Sequence, residues 1–96
     1  MSDTDALTCH AVLTIRNRLG LHARAAVQLV QITSRFDAEV RVTKDGETVN
    51  GRSIMGVMTL AATQGSRITV ETQGVEAGEA LAAIRALVEA RFNEKD

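Results

Sequence analysis

The segment Asn17-Arg18-Leu19-Gly20-Leu21-His22-Ala23-Arg24 places a nucleophilic side chain where the periodicity of the chain changes. From Ala25 onward, Ala25, Leu29, Ile32 and Phe36 recur at i, i+4, i+7 and i+11, with Arg24, Gln28, Gln31 and Arg35 opposite them, which predicts an amphipathic helix starting near His22. The first turn of a helix leaves backbone N–H groups unpaired and carries partial positive charge. An anion attached to His22 would be held by those donors, and Arg24 adds a charge-assisted bond to the same oxygens. An imidazole nitrogen, with an ordinary pKa of ~6.5, is a good nucleophile near neutral pH, so a histidine here is suited to accept a phosphoryl group and release it. The competing reading is a solvent-exposed histidine beside a helix cap, and spacing alone does not decide between the two.

A second constellation is Asn50-Gly51-Arg52-Ser53-Ile54-Met55-Gly56-Val57-Met58-Thr59-Leu60. Ser53 is suited to N-cap a short helix running to Leu60 or Ala62 and closed by Gln64-Gly65. Val57, Leu60 and Ala61 suffice to face a sheet, leaving Met55 and Met58 outward with Ile54 at the border. Such a patch on a small domain marks a protein contact, and the unbranched thioether of methionine suits a surface that must fit more than one partner. A shift of helical phase would instead put the methionines in the core. A cap serine can also receive a phosphate without unfolding its helix, because the new charge lies at the positive end.

Other candidates carry less. His10 falls on the outward face of the first strand, at no metal-ligand spacing from His22. Cys9 is the one cysteine, so no internal disulfide or redox pair is available, and a structural thiol in a reducing cytoplasm is expected. Asp37, Glu39, Asp45 and Glu47 are spread over strand and turn surfaces without a pairing that suggests general acid and base. Neither GxxxxGK[ST] nor GxGxxG occurs. Eleven Lys plus Arg against twelve Asp plus Glu give a net charge of −1, and Phe36 and Phe92 are the only aromatics, which disfavours nucleic-acid binding. The amino terminus is acidic where a secretory signal would be basic and then apolar, and no run approaches a membrane span.

The elements that must position these residues follow from periodicity. Ala11, Leu13 and Ile15 alternate with His10, Val12 and Thr14 as a first strand behind a few fraying residues. Ala38, Val40 and Val42 alternate with Glu39, Arg41 and Thr43, and Asp45-Gly46 turns this strand into Thr48-Val49-Asn50. Ile68 and Val70 mark a fourth strand. Ala77, Leu81, Ile84 and Val88 stripe a last helix, with Glu76 and Glu79 in its first turn and Arg91 and Lys95 near its end, where they complement the dipole. The 96 residues thus read as one domain with an ordered core of about 9–92. The expected order is βαββαβα: an α/β (α+β) two-layer open-faced sandwich, a four-stranded antiparallel sheet with three helices on one face and water on the other.

Together the two segments resemble the histidine-containing phosphocarrier proteins, the HPr family of the bacterial phosphotransferase system. Gly20-Leu21-His22-Ala23-Arg24 is similar to the family's active-site segment and Ser53-Ile54-Met55-Gly56-Val57-Met58 to its regulatory-serine segment. The resemblance covers about residues 9–92 and implies that His22 is phosphorylated through Nδ1 with Arg24 beside it. It further implies that Ser53 is the site of a regulatory serine kinase/phosphorylase, and that Val27, Ile54, Met55 and Met58 form the docking surface. Enzyme I, charged from phosphoenolpyruvate, would donate, and an enzyme IIA would receive. The chain would act as a monomeric carrier, not an enzyme, without cofactor or metal. One departure is Ala25, where the family motif His-x-Arg-Pro has proline; alanine keeps the helix but alters the rigidity of the turn. That change leaves open a regulatory, nitrogen-branch-like binding module controlled by Ser53. A ferredoxin-like RNA- or ligand-binding module is disfavoured by charge and by the shortage of aromatics.

Overall fold

The computed structural model describes residues 7–95; the expected fraying and the acidic character of the first residues concern a segment outside them. The elements are β1 (Thr8–Thr14), α1 (Ala23–Thr33), β2 (Glu39–Lys44), β3 (Glu47–Asn50), α2 (Ile54–Thr59), β4 (Arg67–Gln73) and α3 (Ala77–Glu89), the βαββαβα order read from periodicity. All pairings are antiparallel and the sheet order is β1-β4-β2-β3, so the first strand lies against the last. Register explains the two unlike faces. Leu13 opposes Ile68, and Ala11, Val70 and Val42 line up across three strands beneath the helices. The neighbouring rank of His10, Glu71 and Arg41 faces the open side.

One apolar cluster fills the space between sheet and helices: Leu13, Ile15, Val40, Val42, Ile68 and Val70 below, and Leu29, Val57, Leu60, Leu81, Ile84 and Val88 above. Each such side chain, fully buried, stabilises the fold by ~1.5–3 kcal/mol relative to exposure. The β2–β3 hairpin turns at Asp45 (φ 51°) and Gly46 (φ 82°), whose two positive φ values match the twist of the flanking strands.

The structure departs from the periodicity at three helix ends. α1 stops at Thr33, so Phe36 lies outside the helical stripe and is half-buried in the following turn, where its N–H donates to Thr33 O. The buried Thr33 hydroxyl donates to Gly51 O, tying the helix end to the α2 approach. α2 stops at Thr59, short of Leu60 or Ala62, because Ala61 adopts φ 50°; Ala61 is therefore exposed, not facing the sheet, and Ala62 takes the core position expected of Ala61. α3 ends at Glu89, and Arg91, Phe92 and Asn93 form a left-handed turn with φ 58°, 53° and 61°. That turn drives Phe92 into the core and removes Arg91 and Lys95 from the last helical turn, so they do not complement the dipole as expected. At the other end, Glu76 occupies the N-cap position without capping α3; its carboxylate accepts from Asp37 N at 2.7 Å.

Candidate functional site

Between β1 and α1 the chain crosses under the segment leading into β4. Ile15 N donates to Ser66 O (2.8 Å), Gly65 N to Ile15 O (2.8 Å) and Leu21 N to Ala62 O (2.9 Å). Gly20 sits at the closest approach with φ 68°, and a Cβ there would lie 2.3 Å from Ala62 O, so the backbone contact admits only glycine. Asn17 is fully buried inside this loop. Its Nδ2 donates to Gly20 O (2.8 Å) and to Glu94 Oε2 (3.0 Å), while its Oδ1 has no partner. Both neighbours of the amide nitrogen are acceptors, which settles the orientation of the side chain.

His22 is the N-cap of α1, with extended backbone (φ −75°, ψ −178°), and its carbonyl accepts from Ala26 N at 2.9 Å. The ring is half-buried rather than exposed as expected, because both nitrogens are engaged. Nδ1 accepts from Arg24 N at 3.2 Å and Nε2 meets Glu94 Oε2 at 2.5 Å. A nitrogen that accepts carries a lone pair, so the ring proton sits on Nε2 and is donated to the carboxylate. The histidine thus presents the Nδ1 lone pair toward the opening of α1, and one of the helix-start donors expected to be free already touches it. Beside Glu94 lies a hollow of about 670 Å³ lined by Arg18, Leu19, Arg24, Gln28, Phe92, Asn93, Glu94 and Lys95. Three of those side chains are cationic. Among the described residues no group of three His, Cys, Asp or Glu could hold a metal ion.

Ser53 caps α2: its Oγ accepts from Gly56 N at 3.0 Å, and its carbonyl from Val57 N at 3.0 Å. Val57 is in the core, whereas Met55 is 75% exposed, Met58 41% and Ile54 39%, the outward phase expected for them. Val27 is exposed on α1, and α1 and α2 pack against one another. Leu19, which the sequence reading left out of this surface, is exposed at 64% in the His22 loop. Gly51 is buried where a Cβ would fall 2.4 Å from Val40 Cγ1, which pins the approach to Ser53 against β2.

A family model described as the phosphotransferase-system HPr component phosphorylation site matches residues 10–90. The chain belongs to the HPr family. Phosphocarrier protein HPr of Cupriavidus necator is 48% identical over 81 residues, 84% of this chain and 91% of that one. Phosphocarrier protein NPr of Shewanella violacea is 43% identical over 82 residues, 85% of this chain and 90% of its own. The crystal structure of HPr from Thermoanaerobacter tengcongensis superposes with a TM-score of 0.88 at 38% identity, covering 92% of this chain and 99% of that one. As an HPr-family member the chain is a phosphocarrier working with phosphotransferase-system enzymes, not itself an enzyme. Among the described residues no helix is long and apolar enough to cross a membrane.

Ala25, at the family's proline position, is fully buried in the first turn of α1, and the helix is formed, as alanine's propensity predicts. Glu94 has no place in the sequence reading, and Asn17 opens the quoted segment there without a role of its own. Glu94 lies 72 residues from His22, beyond every periodic element, and the one local signal, Phe92 as a lone aromatic two residues before it, points to an anchored tail only in retrospect.

Proposed function

We propose that His22 carries the phosphoryl group, accepting it on Nδ1 from phosphoenolpyruvate-charged enzyme I and passing it to an enzyme IIA, as a one-domain monomeric carrier. The observation that supports this most directly is the state of the ring. Nδ1 holds its lone pair at the opening of α1, where backbone amides and the helix dipole favour an arriving anion, while Nε2 is committed to Glu94. Val27, Ile54, Met55 and Met58 form the docking surface: they are exposed apolar side chains on the two helices packed beside the site. Incubation with phosphoenolpyruvate and enzyme I tests the reading; the label should be lost in acid and kept in alkali, because phosphohistidine is acid-labile and phosphoserine is not.

Two further outcomes follow from the same geometry. Arg24→Ala leaves the backbone donor to Nδ1 in place and removes only an exposed guanidinium, which contributes little to folding. Phosphoryl transfer should slow at least tenfold, in the range that removing one positioned donor to developing charge produces, with the melting temperature nearly unchanged. Equal transfer rates would remove Arg24 from the site.

Ser53 is the proposed regulatory phosphorylation site for a serine kinase/phosphorylase. A charge of about −2 at the start of α2 is tolerated by the helix but must be desolvated against a docking partner. Ser53→Asp, which can still cap, should melt near wild type and accept phosphoryl from enzyme I more slowly. An unchanged rate would leave Ser53 as a cap only.

A further inference from the structure

We propose that Glu94 is a positioning residue for phosphoryl transfer: from the strap that follows α3, its carboxylate keeps the ring proton of His22 on Nε2 through the whole cycle, so that Nδ1 takes up and gives up the phosphoryl group while no proton enters or leaves the ring. This rests on the reading of His22 as the carrier.

The strap is built to bring Glu94 inward. Arg91, Phe92 and Asn93 all hold positive φ, a conformation that side-chain-bearing residues seldom adopt, and three in succession persist only where surrounding contacts impose them. Phe92 supplies one such contact, buried in the core at 1% exposure, and Asn93 Nδ2 donates to Gln28 Oε1 on α1 at 3.3 Å. Glu94 Oε2 then receives two donors, Asn17 Nδ2 and His22 Nε2, leaving its side chain 13% exposed. A carboxylate is normally solvated, and withdrawing it from water is costly unless it is paired. Here its partners are a fully buried amide and the reactive ring.

The consequence follows from the electron balance. On acceptance the Nδ1 lone pair forms the N–P bond as the bond from phosphorus to the donor breaks, its pair leaving with the donor. The ring, with phosphorus on Nδ1 and hydrogen on Nε2, is now cationic, and Glu94 faces that charge. On delivery the N–P bond breaks, its pair returns to Nδ1, and neutral imidazole with Nε2–H is restored. If the phosphorylated ring lost its Nε2 proton, the departing group would be an imidazole anion, a far poorer leaving group. Arg24 on α1, Arg18 in the loop and Lys95 on the strap also line the hollow beside the strap. Glu94 Oε2 is the carboxylate oxygen that meets ring Nε2.

The test compares wild type with Glu94→Gln, which keeps the shape and an acceptor oxygen but not the charge, and with Glu94→Ala. Each chain, with its histidine rings labelled with nitrogen-15, is phosphorylated by enzyme I and phosphoenolpyruvate, and the His22 nitrogens are read by NMR at pH ~8 beside the rate of delivery to enzyme IIA. The expected result is that wild type keeps Nε2 protonated in most phosphorylated molecules. Both variants should lose it in most of theirs and deliver on the order of tenfold more slowly, with melting temperatures within a few degrees of wild type. A purely structural strap would move stability but not the protonation signature. Variants that match wild type in both protonation and delivery overturn the role of Glu94 and leave His22 as carrier. A wild-type chain that takes no label overturns the carrier reading, and this inference with it.

Discussion

His22→Ala should take no label from phosphoenolpyruvate-charged enzyme I while remaining folded. The ring is the one group in the site with an unshared pair directed at the start of α1, and neither Arg24 nor any backbone donor can substitute for it as nucleophile. The stability cost is modest but not zero, because the histidine is half-buried and caps its own helix. Loss of a cap costs about 1 kcal/mol, and removal of the Nε2–H leaves Glu94 with Asn17 as its hydrogen-bond donor. For a domain of this size 1 kcal/mol lowers Tm by roughly 4–8 °C. The checks are label incorporation and a melting curve for the variant beside wild type. Incorporation at the wild-type rate would mean that another residue carries the phosphoryl group.

Gly20→Ala is expected to be the most damaging single-methyl change near the site. Its added Cβ would lie 2.3 Å from Ala62 O and 3.0 Å from Thr63 Cα, and both are backbone atoms that cannot swing aside. The positive φ adds strain of roughly 1 kcal/mol or more for a residue with a Cβ. Relief requires the loop to lift from the segment before β4, which would break the Leu21 N to Ala62 O bond and release the carbonyl held by Asn17. A loss of ~3 kcal/mol, and therefore a Tm lowered by more than about 10 °C, is the expected outcome, together with slowed transfer because His22 follows two residues later. Gly65→Ala is the control: it shares a positive φ of 91° but its Cβ would meet nothing within 4 Å, so it should cost only about 1 kcal/mol. Similar melting temperatures for the two variants would show that the loop yields to the methyl group and that the backbone contact is not what fixes Gly20.

The strands were legible because each has one face on the core. Leu13, Val40, Val42, Ile68 and Val70 alternate with polar neighbours, and a period of two has only one structural meaning over such a length. The outward phase of Met55 and Met58 was legible for a related reason, since Val57 and Leu60 alone saturate the inner side of a short helix. Helix ends were read less well. Ala61 and the Arg91–Asn93 run adopt positive φ with residues that carry a Cβ, so the glycine or asparagine that usually marks a helix stop is absent at Ala61, and at the end of α3 only the third of the three is an asparagine.

By itself the sequence determined the element order, the face each strand buries, the position of His22 at a helix opening and of Ser53 at another, because all of these are encoded in residues within a turn or two of one another. Only the tertiary structure decided which nitrogen of His22 holds the proton and which keeps the lone pair. That depends on Glu94, 72 residues away, and on a fully buried Asn17 that holds it. The loop of Asn17 and His22 meets the strap after α3 because β1 pairs with β4, the last strand in the sequence, and because α3 packs on both. Phe92 enters the core, where Phe36 was the aromatic assigned to a buried stripe, and so fixes the strap that carries the carboxylate. A local period reports which side of an element avoids water; it holds no information about which distant side chain will be brought against an unpaired donor, since that contact exists only once the strands have chosen their neighbours.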